Sequence, residues 1–310
     1  MTARPAPPVE ISIVVSTYQR PQHLSRCLTS IAAQRGADGR FEVVVCDDGS
    51  TDSTHDTVQA FADGVPFRVA MTTHPHDGFR LSRCRNEGAA AARAPYLLFT
   101  DGDCLLPPDH IATHLRRRRP GRVMAGDCYR LDQTTTQWVG EESIYSGAFQ
   151  GWAPESEKKR IRLKARRGRV YSWLRVPMRP RLTGSNIAVW AEDLERINGF
   201  DEQFVGWGWE DRDLQRRLSL IGVRSMSILP WTQAYHLWHE PAPSFSPDGV
   251  GTNNRLYYEQ SPGKARCDHG LAERRRLMNQ AAAASPAAPS AAPSAAGPPT
   301  PAPGQPADAA

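Results

Sequence analysis

Two tryptophans and three carboxylates crowd the stretch Gly206–Leu214, GWGWEDRDL. An indole covers the apolar C–H face of a sugar, and a carboxylate beside it can take a proton from a hydroxyl. Trp207, Trp209, Glu210 and Asp211 are therefore candidates for sugar binding and general-base work. The same residues also read as a helix start. Leu214, Leu218 and Ile221 follow at helical spacing, and acidic side chains favour the positive end of a helix. That dipole lowers a carboxyl pKa, whereas neighbouring indoles raise it by excluding water. Gly206 and Gly208 are expected where something approaches the backbone closely.

Three further clusters carry chemistry. In FTDGDC, Asp101 and Asp103 share a face if the segment is extended. Two converging carboxylates are costly to ionise without a cation, and a divalent ion answers that need. Asp-Gly is equally a turn signal, so a site and a turn both stand. In VVVCDDGSTDST, Asp47 and Asp48 end an apolar run, and Ser50 or Asp52 can cap the next helix. A carboxylate at that edge can also accept hydrogen bonds from a base such as uracil. In YHLWHE, His236 and His239 are three apart, which suits one metal ion if the segment is turned, or ordinary packing. Imidazole added to oxygen donors suits manganese better than magnesium.

The elements that must position these residues follow from periodicity. Ile11–Thr17, Phe41–Asp47, Phe67–Thr72 and Tyr96–Asp101 are apolar, β-branched runs of strand length. Helical patterns lie between them in PQHLSRCLTSIAAQ, STDSTHDTVQAFA and LSRCRNEGAAAARA. Strand and helix alternating predicts an α/β fold, a mostly parallel sheet with helices on both faces. Ligands in such sheets bind beyond the carboxyl ends of the strands, where TYQR, DDGS and DGD all fall. The expected organisation is an N-terminal extension over 1–10, a nucleotide-binding half over 11–123 and a second half over 124–280. The Ala/Pro/Ser-rich tail over 281–310 is expected to be disordered.

Composition excludes several classes. The longest apolar runs, such as ISIVVS, are far below the roughly 20 residues of a membrane span. MTARPAPPVE has no apolar signal core, and six scattered cysteines match no zinc spacing, so a reduced, cytoplasmic protein is expected. The net charge of +5 is concentrated in RRRR (116–119) and KKRIRLKARRGR (158–169). No nucleic-acid recognition module accompanies it. The basic segment at 158–169 is expected as a surface helix or a mobile loop, and it suits peripheral contact with an anionic membrane at its inner face or plain solvation.

Taken together, VVSTYQR, VVVCDDGSTDST, GFRLSRCRNEG, LLFTDGDC, GFDEQFVGWGWEDRDL and HLWH resemble glycosyltransferase family 2 with the GT-A fold. The second half is similar to the galactosyltransferase-type region of β-1,4-galactosyltransferases and bacterial chondroitin-polymerase modules. The resemblance covers roughly 11–240. It implies that Thr17, Tyr18 and Arg20 hold base and ribose, Asp48 recognises uracil, and Arg80 meets the diphosphate or base. Asp101 and Asp103 match the DxD motif, with Asp103, His239 and possible co-ligand His236 on Mn²⁺ (or Mg²⁺). Asp211 matches the inverting catalytic base, and Trp209 and Glu210 match acceptor-contacting positions, with Trp207 beside them. The implied reaction moves galactose or N-acetylgalactosamine from a UDP-sugar to a glycan or lipid-linked glycan in bacterial polysaccharide synthesis. A nucleotidyltransferase, or a non-catalytic nucleotide-sugar or glycan-binding protein, is the competing reading. TYQRPQH lacks the glycine-rich, lysine-containing loop the nucleotidyltransferase would need.

Overall fold

The computed structural model describes residues 8–241, 253–261 and 263–284. The first part alternates β1 (Ile11–Thr17), α1 (Pro21–Ala32), β2 (Phe41–Asp47), α2 (Thr54–Asp63), β3 (Val69–Thr73), α3 (Leu81–Ala91) and β4 (Tyr96–Asp101). Then come β5 (Cys104–Leu105), α4 (His110–Arg117), β6 (Arg122–Ala125), β7 (Cys128–Arg130), α5 (Gln133–Trp138), α6 (Glu141–Ser146) and α7 (Glu155–Leu174). The rest is β8 (Ile187–Trp190), α8 (Ala191–Arg196), α9 (Glu210–Leu220), β9 (Arg224–Ser227), β10 (Ala234–His236), α10 (Asn253–Gln260) and α11 (Leu271–Ala284).

Seven strands form the main sheet in the order β3-β2-β1-β4-β8-β6-β9. Its pairings are parallel except at β8, which runs against both β4 and β6. Every residue of β1 and β2 is buried, because helices cover both faces. Alternate side chains separate accordingly. Ile11, Ile13 and Val15 pack with Leu24, Leu28, Ile31 and Ile111 of α1 and α4. Val14, Leu97 and Phe99 pack instead with Cys84 and Ala89 of α3 and Leu214 and Leu218 of α9. All six cysteines are buried and free.

The register aligns the polar strand ends. Thr17 lies opposite Asp47, and Ser16 opposite Asp101. A smaller sheet, β5-β10-β7, stands beside this edge. It sets His236 opposite Cys104, and hence next to Asp103. Nothing in the short AYH run distinguishes it as a strand; the pairing with residues far earlier in the chain makes it one.

The basic segment 158–169, expected as a surface helix or a mobile loop, is a helix, the middle of the 20-residue α7. One expectation changes here. The helix α11 runs on to Ala284, four residues into the segment expected to be disordered. The remainder of that tail, 285–310, lies outside the described residues, as do 1–7 of the N-terminal extension.

Candidate active site

Asp101 closes β4, and Gly102 and Asp103 turn the chain into β5. The segment is thus a turn rather than the extended run that would align the two carboxylates, yet they still converge. His239 Nε2 lies 2.9 Å from Asp103 Oδ2, and His236 Nε2 lies 3.5 Å from Asp103 Oδ1. Each of the three residues offers a ligand atom, and these atoms lie within 4.8 Å of one another; Asp101, Asp103 and Cys104 form an overlapping group. The main chain locks the arrangement, with Leu237 N donating to Asp103 O at 2.8 Å. Burial opposes ionisation of Asp103, but the facing His236, His239 and Arg20 hold its carboxyl well below the usual range. Two imidazoles beside carboxylate oxygens fit a divalent cation of the manganese or magnesium kind. Arg20, expected at base and ribose, sits 3.7 Å from Asp103 and donates to Glu240 O.

A second cluster surrounds a residue that the sequence reading passed over. Arg85 on α3 is 1% exposed. Its guanidinium lies 3.3 Å from Asp101 Oδ1, 3.1 Å from Asp211 Oδ1 and 3.6 Å from Glu210 Oε1, with its back on the Phe200 ring. It therefore joins the strand-end carboxylate to the WED carboxylates. A signal was available: Cys84, Arg85, Gly88 and Ala89 share the buried side of α3, and an arginine among small apolar residues needs a buried acid.

The two WED carboxyls are held differently. Asp211 accepts hydrogen bonds from Arg85 Nη1 at 3.1 Å and from Gly184 N at 2.6 Å. Glu210 is pushed up to about 8 by burial and by the neighbouring Asp211 charge, with Arg85 opposing. The stretch before them is wound through left-handed backbone, with φ of +82° at Gly206, +90° at Gly208 and +77° at Trp209. A Cβ at Gly208 would meet nothing within 4 Å. Left-handed backbone is one reason for glycine there. Trp209 pays the strain of a left-handed, non-glycine residue, as residues at functional sites often do. Its ring is faced by the Arg212 guanidinium at 4.5 Å and tilted against Tyr258 at 5.2 Å, while Trp207 is 38% exposed.

At the opposite end of the strand edge, Thr17 is buried and Tyr18 stacks on His76 at 4.3 Å and 12°. Asp48 is largely engaged within the protein. Its Oδ1 lies 2.9 Å from His74 Nε2, and its Oδ2 accepts from Arg80 N at 3.0 Å. Arg80 turns its side chain back to Asp77, so among the described residues it does not join the Asp101 cluster, and Arg85 stands there instead. Ser50, a proposed cap, bonds to Asp47, whereas Asp52 does accept from Thr54 N at the start of α2.

Comparison with known proteins is consistent across the chain. Residues 12–173, over half of it, match glycosyl transferase family 2, and residues 170–240 match the N-terminal domain of galactosyltransferase. A validoxylamine A glucosyltransferase of Streptomyces hygroscopicus subsp. limoneus is 33% identical over 247 residues, covering 75% of this chain and 51% of that protein. The chain thus spans about half the length of the curated relatives it matches first. The crystal structure of S. aureus TarS 1-349 in complex with UDP-GlcNAc superposes with TM-score 0.56 at 15% identity, covering 88% of this chain and 71% of that one. The mannosyltransferase PcManGT of Pyrobaculum calidifontis, in complex with GDP-Man and Mn²⁺, gives 0.52 at 17%, covering 91% and 77%. These two share the fold.

Proposed function

The chain belongs to glycosyl transferase family 2, and from that premise we propose that it moves a hexose or N-acetylhexosamine from a UDP-sugar to a hydroxyl of a glycan or lipid-linked glycan, with inversion. In this reading 11–123 form the donor half and 124–280 the acceptor half. The observation that carries it is the bridge made by Arg85. It sets the Asp101 end of the donor edge and the Asp211 end of the acceptor segment within one cluster. Asp103, His236 and His239 would hold a divalent cation, whose charge when bound neutralises the diphosphate leaving group.

The remaining roles belong to side chains of this chain. The acceptor hydroxyl oxygen bonds to the anomeric carbon as that carbon's bond to the diphosphate oxygen breaks, and Asp211 takes the hydroxyl proton. Gly184 N and Arg85 hold the Asp211 carboxylate in one orientation for that transfer. Glu210 keeps its own proton at neutral pH and donates a hydrogen bond to the acceptor. Trp207 and Trp209 supply the face against the sugar. Tyr18 and the strand edge at Thr17 and Asp48 receive the base. With one base and no separate nucleophile, a single displacement follows.

Because a relative is named for glucose transfer and fold neighbours are titled with UDP-GlcNAc and GDP-Man, the donor screen spans these sugar nucleotides beside the proposed galactose and GalNAc. Bacterial polysaccharide or glycolipid synthesis at the inner face of a membrane is the setting we propose. The first experiment is thermal unfolding against UDP, GDP, ADP and CMP, with and without Mn²⁺. A ligand at 100 times its Kd stabilises by about 2.7 kcal/mol, and the expected shift is with UDP and requires Mn²⁺. Turnover on the responding sugar nucleotide should fall about 10²–10⁴-fold in Asp211→Asn. Unchanged turnover would leave Asp211 a structural role, as the acceptor for Arg85 and Gly184 N.

A further inference from the structure

We propose that the outer face of α7 is a docking surface for an anionic lipid bilayer. The helix meets the rest of the protein on one side only. Ile161 and Gly168 are buried there against β7 and β9, and a Cβ at Gly168 would come within 2.8 Å of Ser227 Cβ. On the far side Leu163, Val170, Trp173 and Leu174 are 48, 50, 81 and 58% exposed. At 3.6 residues per turn, Leu163, Val170 and Leu174 fall within about 40° of one another, roughly opposite Gly168, with Trp173 on their flank. An exposed apolar stripe of this kind, aligned over three turns, is not what a solvated helix carries.

Charge runs along the same stripe. From Lys158 to Arg181 the chain has eleven basic side chains and no acidic one. Lys158, Arg160, Arg162 and Lys164 at the start of the helix are paired with Glu155, Glu157 or Asp127. Arg166, Arg167 and Arg169 are exposed and make no ion pair among the described residues. Their position on the helix sets them beside Leu163, Val170 and Trp173.

Apolar and cationic groups so interleaved select one occupant. A soluble polyanion such as nucleic acid would reward the arginines and leave a tryptophan and three aliphatic side chains in water. A bilayer interface takes both: the apolar stripe enters the acyl boundary, and the guanidinium groups reach lipid phosphates. Past α7 the chain returns to Arg181, beside Arg212, whose guanidinium faces the Trp209 ring. The inference does not rest on glycosyl transfer, because lipid binding is read without turnover.

The test is flotation of the full chain with vesicles of phosphatidylcholine alone or with 30% phosphatidylglycerol. The expected result is binding to the anionic vesicles only, lost as salt is raised. Each cation near such a surface contributes roughly fivefold, so Arg166→Gln/Arg167→Gln/Arg169→Gln should weaken binding by about a hundredfold. Trp173→Ala/Leu174→Ala should weaken it by about tenfold without altering the salt dependence. Thermal midpoints within a degree or two of the parent would show that both variants fold. Equal binding to neutral vesicles, or wild-type binding by the arginine variant, would overturn the proposal. So would tight binding to duplex DNA that Trp173→Ala/Leu174→Ala leaves untouched, which would assign the face to a polyanion. Flotation without turnover would sink the enzymatic reading alone.

Discussion

Glu210→Gln isolates the electrostatics of the proposed acceptor site. Glu210 is 8% exposed, beside Asp211 and across from Arg85, and its pKa stands at about 8 instead of the ordinary 4.5. For an acid raised in the folded state, the fold binds the proton more tightly than the unfolded chain does. The cost of that carboxyl is therefore absent below about pH 4.5, grows as pH rises, and levels off above about 8. At roughly 1.4 kcal/mol per pH unit, the move amounts to about 5 kcal/mol at its ceiling. Relaxation of the site narrows the difference, so about 2–5 kcal/mol is the expected range. Glutamine keeps the shape and a hydrogen-bond donor but cannot ionise. In metal-free buffer the variant and parent should unfold alike at pH 4.5, and the variant should be more stable by that amount at pH 8.5. For a domain of this size each kcal/mol is worth about 2–4 °C, so thermal scans across five pH values resolve it. Turnover at pH 7 should fall less than tenfold, unlike that of Asp211→Asn. Parallel stability curves would refute the reasoning, because Glu210 would then ionise freely in the folded protein.

Two other changes probe the same framework. Arg85→Met strands Asp101, Glu210 and Asp211 together without their cation. Breaking a buried pair in this way costs about 3–5 kcal/mol. Urea midpoints should show the larger loss at pH 8, where the carboxyls would ionise, than at pH 5; a loss below about 1 kcal/mol at pH 8 would remove Arg85 from its bridging role. His74→Gln tests the support of Asp48. Burial alone would lower the His74 pKa, but Asp48 and Glu87 on either side raise it to about 9. A raised histidine stabilises fully below about pH 6.5 and loses that contribution as pH rises through 9, so the substitution should cost about 3 kcal/mol at pH 6 and much less at pH 9.5. A cost that does not shrink with pH, read from denaturant midpoints, would contradict it.

Legibility from sequence followed burial. Ile11–Thr17, Phe41–Asp47 and Tyr96–Asp101 are strands at the expected bounds because both their faces are covered, which makes an unbroken apolar run. Short β5, β7 and β10 were not visible. Two or three residues carry no periodicity, and their pairing depends on partners far along the chain. Residue type and spacing offered Asp101–Asp103 and His236–His239 as separate candidates, which the family resemblance joined, while Arg85 was hidden among four arginines spread over Arg80–Arg93, three of them exposed or half-buried. Side-chain direction decided the rest. Arg80 and Arg85 are five apart on one helix start, and that rotation sends one to Asp77 and the other to Asp101. The glycines of GWGWED spoke for left-handed backbone, a property of φ that composition cannot separate from close approach.

The pairing of β5 with β10 also sets an order in time. Strands β1 to β4 are complete once the chain has passed Asp101, and all their mutual contacts are already available. Asp103 then waits for His236 and His239, which the ribosome supplies on the order of ten seconds later at 5–20 residues per second. During that interval a nascent sheet can collapse with one of the three proposed ligands, Asp103. The proposed ion-binding geometry is thus a late event, created when β10 slots beside β5, and a chain released early would keep much of its sheet while lacking two of the three residues proposed to hold the ion.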